Sequence, residues 1–349
     1  MSAPFAVFVT AIGGPDVLKA QPISMPIPGA DEVVIEQTAV AVNFVDIYLR
    51  AGQPHSHNPT PPFIPGVSGI GRIKAIGSHV RDLKVGDKAT YTNAGVGSYC
   101  THVALPAERV IPVPESLDDV RVAAGLVRTL TSQYLLKKMR VLPPGNRVLV
   151  HAAAGGVGQI LVQWAKRLGL IVIATAGSDA KIKTALALGA DFAINYRTHD
   201  FVAEVNRITA GKGVSVVFDS VGKDTFDGSV KCLESRGLVV NYGTASGQVE
   251  GVKLQDLHSK SLWVCRPTLK TYVADRAEML EMSQEAFEIL GDPSVRLDIE
   301  KILPLSQASE AHRLLEGRTT QGAIVLIPDA LFTKKSFIAA SGDVLPSPS

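Results

Sequence analysis

The stretch RVLVHAAAGGVGQILVQWAKRLG, Arg147 to Gly169, constrains the fold more than any other. An apolar run of strand type leads directly into Ala153, Gly155 and Gly158, an A-x-G-x-x-G turn. Val157, Ile160, Leu161, Trp164, Ala165 and Leu168 then recur at the spacing of one helix face. A glycine turn between a strand and a helix is the context in which this motif holds a dinucleotide. Missing side chains at Gly155 and Gly156 let backbone N–H groups reach a pyrophosphate at the positive helix end, and Gly158 lets the helix pack on the strand. The binding turn read this way comprises Ala154, Gly155, Gly156, Val157 and Gly158. A turn that merely packs tightly is the competing reading.

The surrounding pattern decides between them. Strands are expected at RVLVH, LIVIATA, DFAIN, VSVVFDS, LVVNYG and SLWVC, with helical stretches between, which is the texture of a parallel sheet with crossover helices. The chain before it is different. Short β-type runs from Ala6 to about Pro114, broken by Gly and Pro, predict a compact, mainly antiparallel domain. Within it AGQPHSHNPTPPFIPG carries five prolines and reads as a loop. A helix is expected from a Ser116 N-cap through SLDDVRVAAGLVRTLTSQYLLKKM. After Arg266 a long helix, EKILPLSQASEAHRLLEGR and a last strand, GAIVLIP, are expected to return to the first domain. The fold class is therefore α/β: a mainly β domain plus a doubly wound parallel sheet. The boundaries are drawn at 1–125 and 267–328 for the first domain, 126–266 for the second, and 329–349 for a flexible tail.

In a dinucleotide fold the second strand ends in Asp or Glu when the ligand is NAD, because that acid accepts the ribose hydroxyls. Here LIVIATA ends in Gly177, 22 residues after Gly155. A carboxylate would repel a 2′-phosphate and glycine leaves room for one, so the expected cofactor is NADPH. Lys181, at the start of the next helix, and Tyr196 and Arg197, after the third strand, are the candidate neighbours of that phosphate. Lys181 is open to a second reading as a solvated helix lysine, and Asp179 lies close enough to reach a ribose.

Composition narrows the partners. With 35 basic and 33 acidic residues the net charge is +2, which gives no electrostatic reason to expect nucleic acid or an anionic membrane. The substrate is expected to be a small molecule. Cys100, Cys232 and Cys265 are scattered and offer no disulfide framework, which suits a reducing compartment. No signal-peptide pattern opens the sequence and no run of about 18 apolar residues occurs, so the protein is expected in the cytoplasm. The closing SPS is neither a peroxisomal address nor a prenylation box.

Taken together, GGPDVL, NFVDIYLRAG, HAAAGGVGQILVQWAK, DSVG, NYGTASG, RPTL and RTTQGAIVLIP resemble the zinc-independent quinone oxidoreductases of the medium-chain dehydrogenase/reductase superfamily, the NADPH:quinone reductase or zeta-crystallin-like group. The resemblance covers nearly everything except the tail. It implies a GroES-like catalytic domain around a Rossmann domain, NADPH in the cleft between them, and a homodimer formed by edge pairing of the Rossmann sheets. It implies that Asn43, Phe44, Asp46 and Tyr48 line the nicotinamide end, with Thr131 and Thr244 nearby. Ser220, Arg266 and Arg318 would touch the cofactor elsewhere. Tyr48 is the candidate for orienting the acceptor oxygen or donating a proton, against a reading in which it only shapes the pocket. Asp46 has an equal structural reading as a turn cap, and Arg50 is either a surface residue or a cleft cation.

Zinc-dependent relatives carry a cysteine at the position of Asn43 and a Gly-His-Glu near Gly66, where this chain reads PGVSG, so no metal is expected. His55 and His57 lack a third ligand. The implied activity is NADPH-dependent reduction of quinones without metal, with enone or alkenal double bonds as the alternative acceptor. A further alternative from another class is an NADPH-binding protein with little turnover that binds RNA or serves a structural role. Against it, the most compact basic cluster, Lys137, Lys138 and Arg140, sits at a helix end, where cations are ordinary.

Overall fold

The computed structural model describes residues 3–53, 58–317 and 322–332. The chain divides into two compact units, one of residues 1–127, 276–292 and 297–349, the other of residues 128–275 and 293–296. His55, His57, Arg318 and the tail from 333 onward lie outside the described residues.

The first unit begins with a two-stranded ribbon, β1 (Phe5–Val9) and β2 (Leu18–Pro22), paired antiparallel. A long strand, β3 (Glu32–Ala41), then carries the main sheet and leads into α1 (Phe44–Arg50). Next come β4 (Ser68–Ile76), β5 (Lys88–Thr92), β6 (His102–Pro106) and β7 (Val110–Pro112). β3 sends Val33 and Ile35, two residues apart on one face, into a core with Ile73, Val80, Leu105 and Val110. Helix α2 (Asp119–Tyr134) follows. It starts later than the sequence pattern suggests, because Asp118, not Ser116, accepts the N–H of Arg121 at 2.8 Å and caps it.

The second unit is built on six parallel strands: β8 (Arg147–Val150), β9 (Ile171–Ala176), β10 (Phe192–Asn195), β11 (Val214–Asp219), β12 (Leu233–Asn241) and β13 (Trp263–Cys265). Their order is β10-β9-β8-β11-β12-β13, so the winding reverses on either side of β8. The connecting helices are α3 (Gly156–Arg167), α4 (Asp179–Ala187), α5 (Phe201–Ile208), α6 (Phe226–Lys231) and α7 (Leu254–His258). All six expected strands are present, because continuous Val, Ile and Leu runs are stable only where both sheet faces are covered. A short α8 (Leu269–Tyr272) ends the unit, with Tyr272 stacked on Tyr134 at 4.4 Å between ring centroids.

The chain then returns to the first unit through α9 (Arg276–Gly291), β14 (Ile299–Pro304), α10 (Ala308–Glu316) and β15 (Ala323–Ile327). β15 pairs antiparallel with β3 through Val325 and Ala41, and α10 sends Ala308, Ala311 and Leu315 into a core shared with Val7, Val9, Ile47 and Leu49. Seven strands complete this sheet, all antiparallel except the β14–β15 pair.

Candidate active site

Because the six strands of the second unit are parallel, their C-terminal ends share one sheet edge. The glycine turn follows β8, Gly177 follows β9, Tyr196 follows β10, Ser220 follows β11, Thr244 lies beyond β12 and Arg266 follows β13. Ligands of open α/β sheets bind outside that edge, where the strand order reverses.

The turn is shaped by sterics. Gly155 stands just before α3 in extended conformation and Ala152 takes a left-handed φ of 49°. A Cβ on Gly158 would lie 2.4 Å from the Ala152 carbonyl oxygen, so only glycine lets the helix close on the turn. The close approach is thus to the turn backbone just past β8. Ile160, Leu161, Trp164 and Ala165 are buried on α3, while Val157 and Leu168 are half-buried, and Gln159 and Val162 join the buried face. Gly156 has a different neighbour from the one expected. A Cβ there would lie 2.8 Å from Cζ of Arg128, whose guanidinium sits over the first residue of α3.

Beside the turn, His151 is buried between the hydroxyls of Thr175 at 2.7 Å and Ser229 at 3.0 Å. Asp219, wholly buried, accepts the N–H groups of Val221 and Gly222 and the hydroxyls of Thr225 and Ser229. This fixes the DSVG loop and with it Ser220. Arg266 is held at the end of β12 by Asn241, through its amide oxygen and carbonyl.

At the end of β9, Gly177 carries no side chain and the Tyr196 hydroxyl takes up the space, 2.7 Å from where a Cβ would stand. Ser178 caps α4 by accepting the Lys181 N–H, so Lys181 stands in the first helical turn. Asp179 is engaged: its Oδ1 accepts from the Asn195 side-chain amide at 2.7 Å. No carboxylate side chain occupies position 177. Lys137, in the basic cluster, lies over the Trp164 ring at 5.9 Å, and Arg140 donates to the Arg236 carbonyl.

The first unit gathers the other candidates on α1. Asn43 stands just before the helix, its N–H donating to Asp46 Oδ2 at 2.8 Å and its side-chain amide to Ser68 Oγ at 3.3 Å. Phe44 and Tyr48, four residues apart, share a face with ring centroids 6.3 Å apart. Asp46 is wholly buried, and burial pushes its carboxyl up to about 7 against the lowering effect of its bonds from Asn43 and Tyr99. Oδ2 accepts both bonds while Oδ1 has no partner among the described residues, so Oδ1 is the oxygen that carries the proton in the neutral form.

Sequence reasoning missed the network behind Asp46. Tyr99 donates to Asp46 Oδ2 at 3.2 Å and its oxygen lies 3.0 Å from His312 Nε2, so that nitrogen carries the hydrogen. His312 Nδ1 then accepts from Arg50 Nη1 at 3.3 Å. Burial, with the neighbouring Arg50 charge, pushes the His312 imidazole down to about 3. Arg50 is neither a surface residue nor a cleft cation: it is 1% exposed, bonded to the Gly13 carbonyl and ion-paired with Glu316.

These features meet comparisons with known proteins. Residues 29–115 match the alcohol dehydrogenase GroES-like domain and residues 156–285 match the family described as zinc-binding dehydrogenase. Quinone oxidoreductase 1 of Escherichia coli is 40% identical over 90% of this chain and 97% of its own length. The chain belongs to the quinone oxidoreductases of the medium-chain dehydrogenase/reductase superfamily. A 2-haloacrylate reductase of Burkholderia is also 40% identical, over 91% of the chain and 97% of its own length. A crystal structure of the Escherichia coli quinone oxidoreductase complexed with NADPH superposes with a TM-score of 0.89 at 39% identity, covering 93% of this chain and 100% of that one. The word zinc in the matched description does not fit this quinone oxidoreductase. Among the described residues no group of three or more His, Cys, Asp or Glu could hold a metal ion, and at Asn43 the side chain is an amide spent on Ser68.

Proposed function

We propose that the protein reduces quinones with NADPH and without a metal. The observation that carries this reading is Gly177: the end of β9 lacks the acid that an NAD ribose requires and presents instead a side-chain-free position beside Tyr196. The cofactor, when bound, supplies a hydride. The chain's own residues bind and orient it. Backbone N–H groups of Gly156, Val157 and Gly158 face its pyrophosphate, while that of Gly155 closes the turn on the Ala152 carbonyl; Gly177, Lys181 and Tyr196 receive the 2′-phosphate end, and Ser220, Thr244 and Arg266 border the remainder, with Thr131 on α2. Arg318 keeps its assignment to the cofactor on sequence resemblance alone.

Asn43, Phe44, Asp46 and Tyr48 form the acceptor end. A quinone needs no Lewis acid, because the charge arriving with hydride falls on an oxygen conjugated to the accepting carbon. Tyr48 orients that oxygen by donating its phenol hydrogen, and the rings of Phe44 and Tyr48 give a flat acceptor an apolar face. Asp46 caps α1 and holds a proton at Oδ1 near neutral pH.

The relation to a 2-haloacrylate reductase favours a second acceptor class, activated carbon–carbon double bonds. NADPH oxidation with 1,4-benzoquinone, larger quinones, 2-chloroacrylate and a simple enone separates the two. Quinone turnover well above the alkenes supports the first reading, alkene turnover alone replaces it with the second, and no turnover with any leaves a binding protein.

A homodimer and a cytoplasmic location complete the proposal. β13 is the edge strand of its sheet and exposes Trp263 and Val264, an apolar edge suited to pairing with a second copy. No helix among the described residues is long and apolar enough to cross a membrane.

A further inference from the structure

Arg128 lies 28 residues upstream of Gly156, on α2, yet its guanidinium covers the first residue of α3. Cζ and Nε both lie 2.8 Å from the position a Gly156 Cβ would take, and Nη1 lies 3.2 Å from it. Nη1 is inaccessible to solvent and has no hydrogen-bond partner among the described residues, although the residue as a whole keeps some exposed surface. Burial alone lowers the guanidinium, to about 10, and no carboxylate offsets it. A cation taken out of water without a partner is unfavourable, and arginine stays charged there regardless.

The site around it is complementary to an anion. The N-terminus of α3 turns free N–H groups and the positive end of the helix dipole toward the same turn. Phosphate oxygens match a guanidinium in geometry as well as charge.

We infer that Arg128 is a ligand of the dinucleotide's pyrophosphate bridge, closing over the glycine turn from α2 while the N–H groups of α3 hold it from below. The inference rests on the NADPH reading above. It also gives Gly156 a second reason to be glycine: any side chain would displace the guanidinium.

The test is calorimetric binding of NADPH, NADH, adenosine 2′-monophosphate and inorganic phosphate to wild type, Arg128→Met and Arg128→Lys, with thermal unfolding of each apo protein. Removing one charge-assisted hydrogen bond to a phosphate corresponds to about 10- to 100-fold in Kd. Arg128→Met is expected to weaken NADPH and NADH by the same factor, to leave adenosine 2′-monophosphate unchanged, and to leave the apo melting temperature unchanged or raised. Arg128→Lys, which keeps the charge but not the fork, is expected to lie between. Loss confined to NADPH would move the cation to the 2′-phosphate, and loss confined to inorganic phosphate would leave an anion site unrelated to the cofactor; either overturns the inference. So does unchanged dinucleotide binding, or a lower apo melting temperature, which would make the guanidinium a structural brace. If wild type binds neither dinucleotide, the NADPH reading falls with it, and that outcome is told apart by the wild-type trace.

Discussion

Arg50 and Arg128 are both guanidinium groups drawn into the protein, and they differ in what closes on them. Around Arg50 the fold supplies every partner: the Gly13 carbonyl, His312 and Glu316. The same chain of donors continues through Tyr99 to Asp46, each hydrogen pointing one way. Around Arg128 the fold supplies a glycine and a helix end, and leaves Nη1 without a partner among the described residues. The difference teaches which buried charge serves the fold and which is kept for a ligand. Folding alone satisfies the first, whereas the second stays costly until an anion arrives.

Stability should break or keep this contrast most visibly. Arg50→Met strands Glu316 and leaves His312 Nδ1 without its donor, and it is expected to cost about 3 kcal/mol, or roughly 6–12 °C in melting temperature. Arg128→Met, in the same unfolding experiment without cofactor, should cost nothing. Equal losses would erase the distinction.

A smaller effect sharpens the account of the closed network through pH. The Asp46 carboxyl rises from 3.8 to about 7 on folding, so the native state takes up a proton across that window and stability falls as pH rises from about 4 to about 7. His312 drops from 6.5 to about 3, so the native state refuses a proton and stability is lost as pH falls from about 6.5 to about 3. The two slopes oppose one another between about pH 4 and 6.5. Asp46→Asn removes the first, so its stability relative to wild type should climb with pH up to about 7, by at most about 1.4 kcal/mol per pH unit. Denaturant midpoints from pH 4 to 8 measure this, and a constant offset would contradict the Asp46 assignment.

Two tyrosines give the finest comparison. Tyr99→Phe breaks a hydroxyl bonded on both sides and should cost about 1–2 kcal/mol of stability. The Tyr48 hydroxyl makes no hydrogen bond among the described residues, so Tyr48→Phe should leave the melting temperature alone and lower kcat with quinone by roughly 3- to 10-fold. Unchanged kcat would reduce Tyr48 to a wall of the pocket.

What is legible in the sequence follows from how local each signal is. The glycine turn, the six parallel strands and the missing acid at Gly177 are all written within a few residues of themselves, in hydrophobic runs and absent side chains. The α2 start turns on which of two nearby capping residues, Ser116 or Asp118, holds the first turn, and Asp118 holds it by accepting the Arg121 N–H. Arg128 and the Asp46–Tyr99–His312–Arg50 chain are invisible in the sequence for another reason. Their partners are brought together from positions as far apart as Asp46 and His312, and nothing in either local segment announces the other. One signal is available: Arg128 is the one charged residue in the run AAGLVRTL, and a cation inside a largely apolar helical run needs a partner or solvent somewhere.

The most direct test of the central claim is kcat/KM for NADPH and for NADH with one quinone, measured on wild type, Gly177→Ala and Gly177→Asp. Strong NADPH preference is expected in wild type and is retained in Gly177→Ala, where the Tyr196 side chain can swing aside. Gly177→Asp is expected to lose about 100-fold toward NADPH, with NADH kept or improved. Equal use of NADH by wild type, or an aspartate that leaves the preference intact, would contradict that claim.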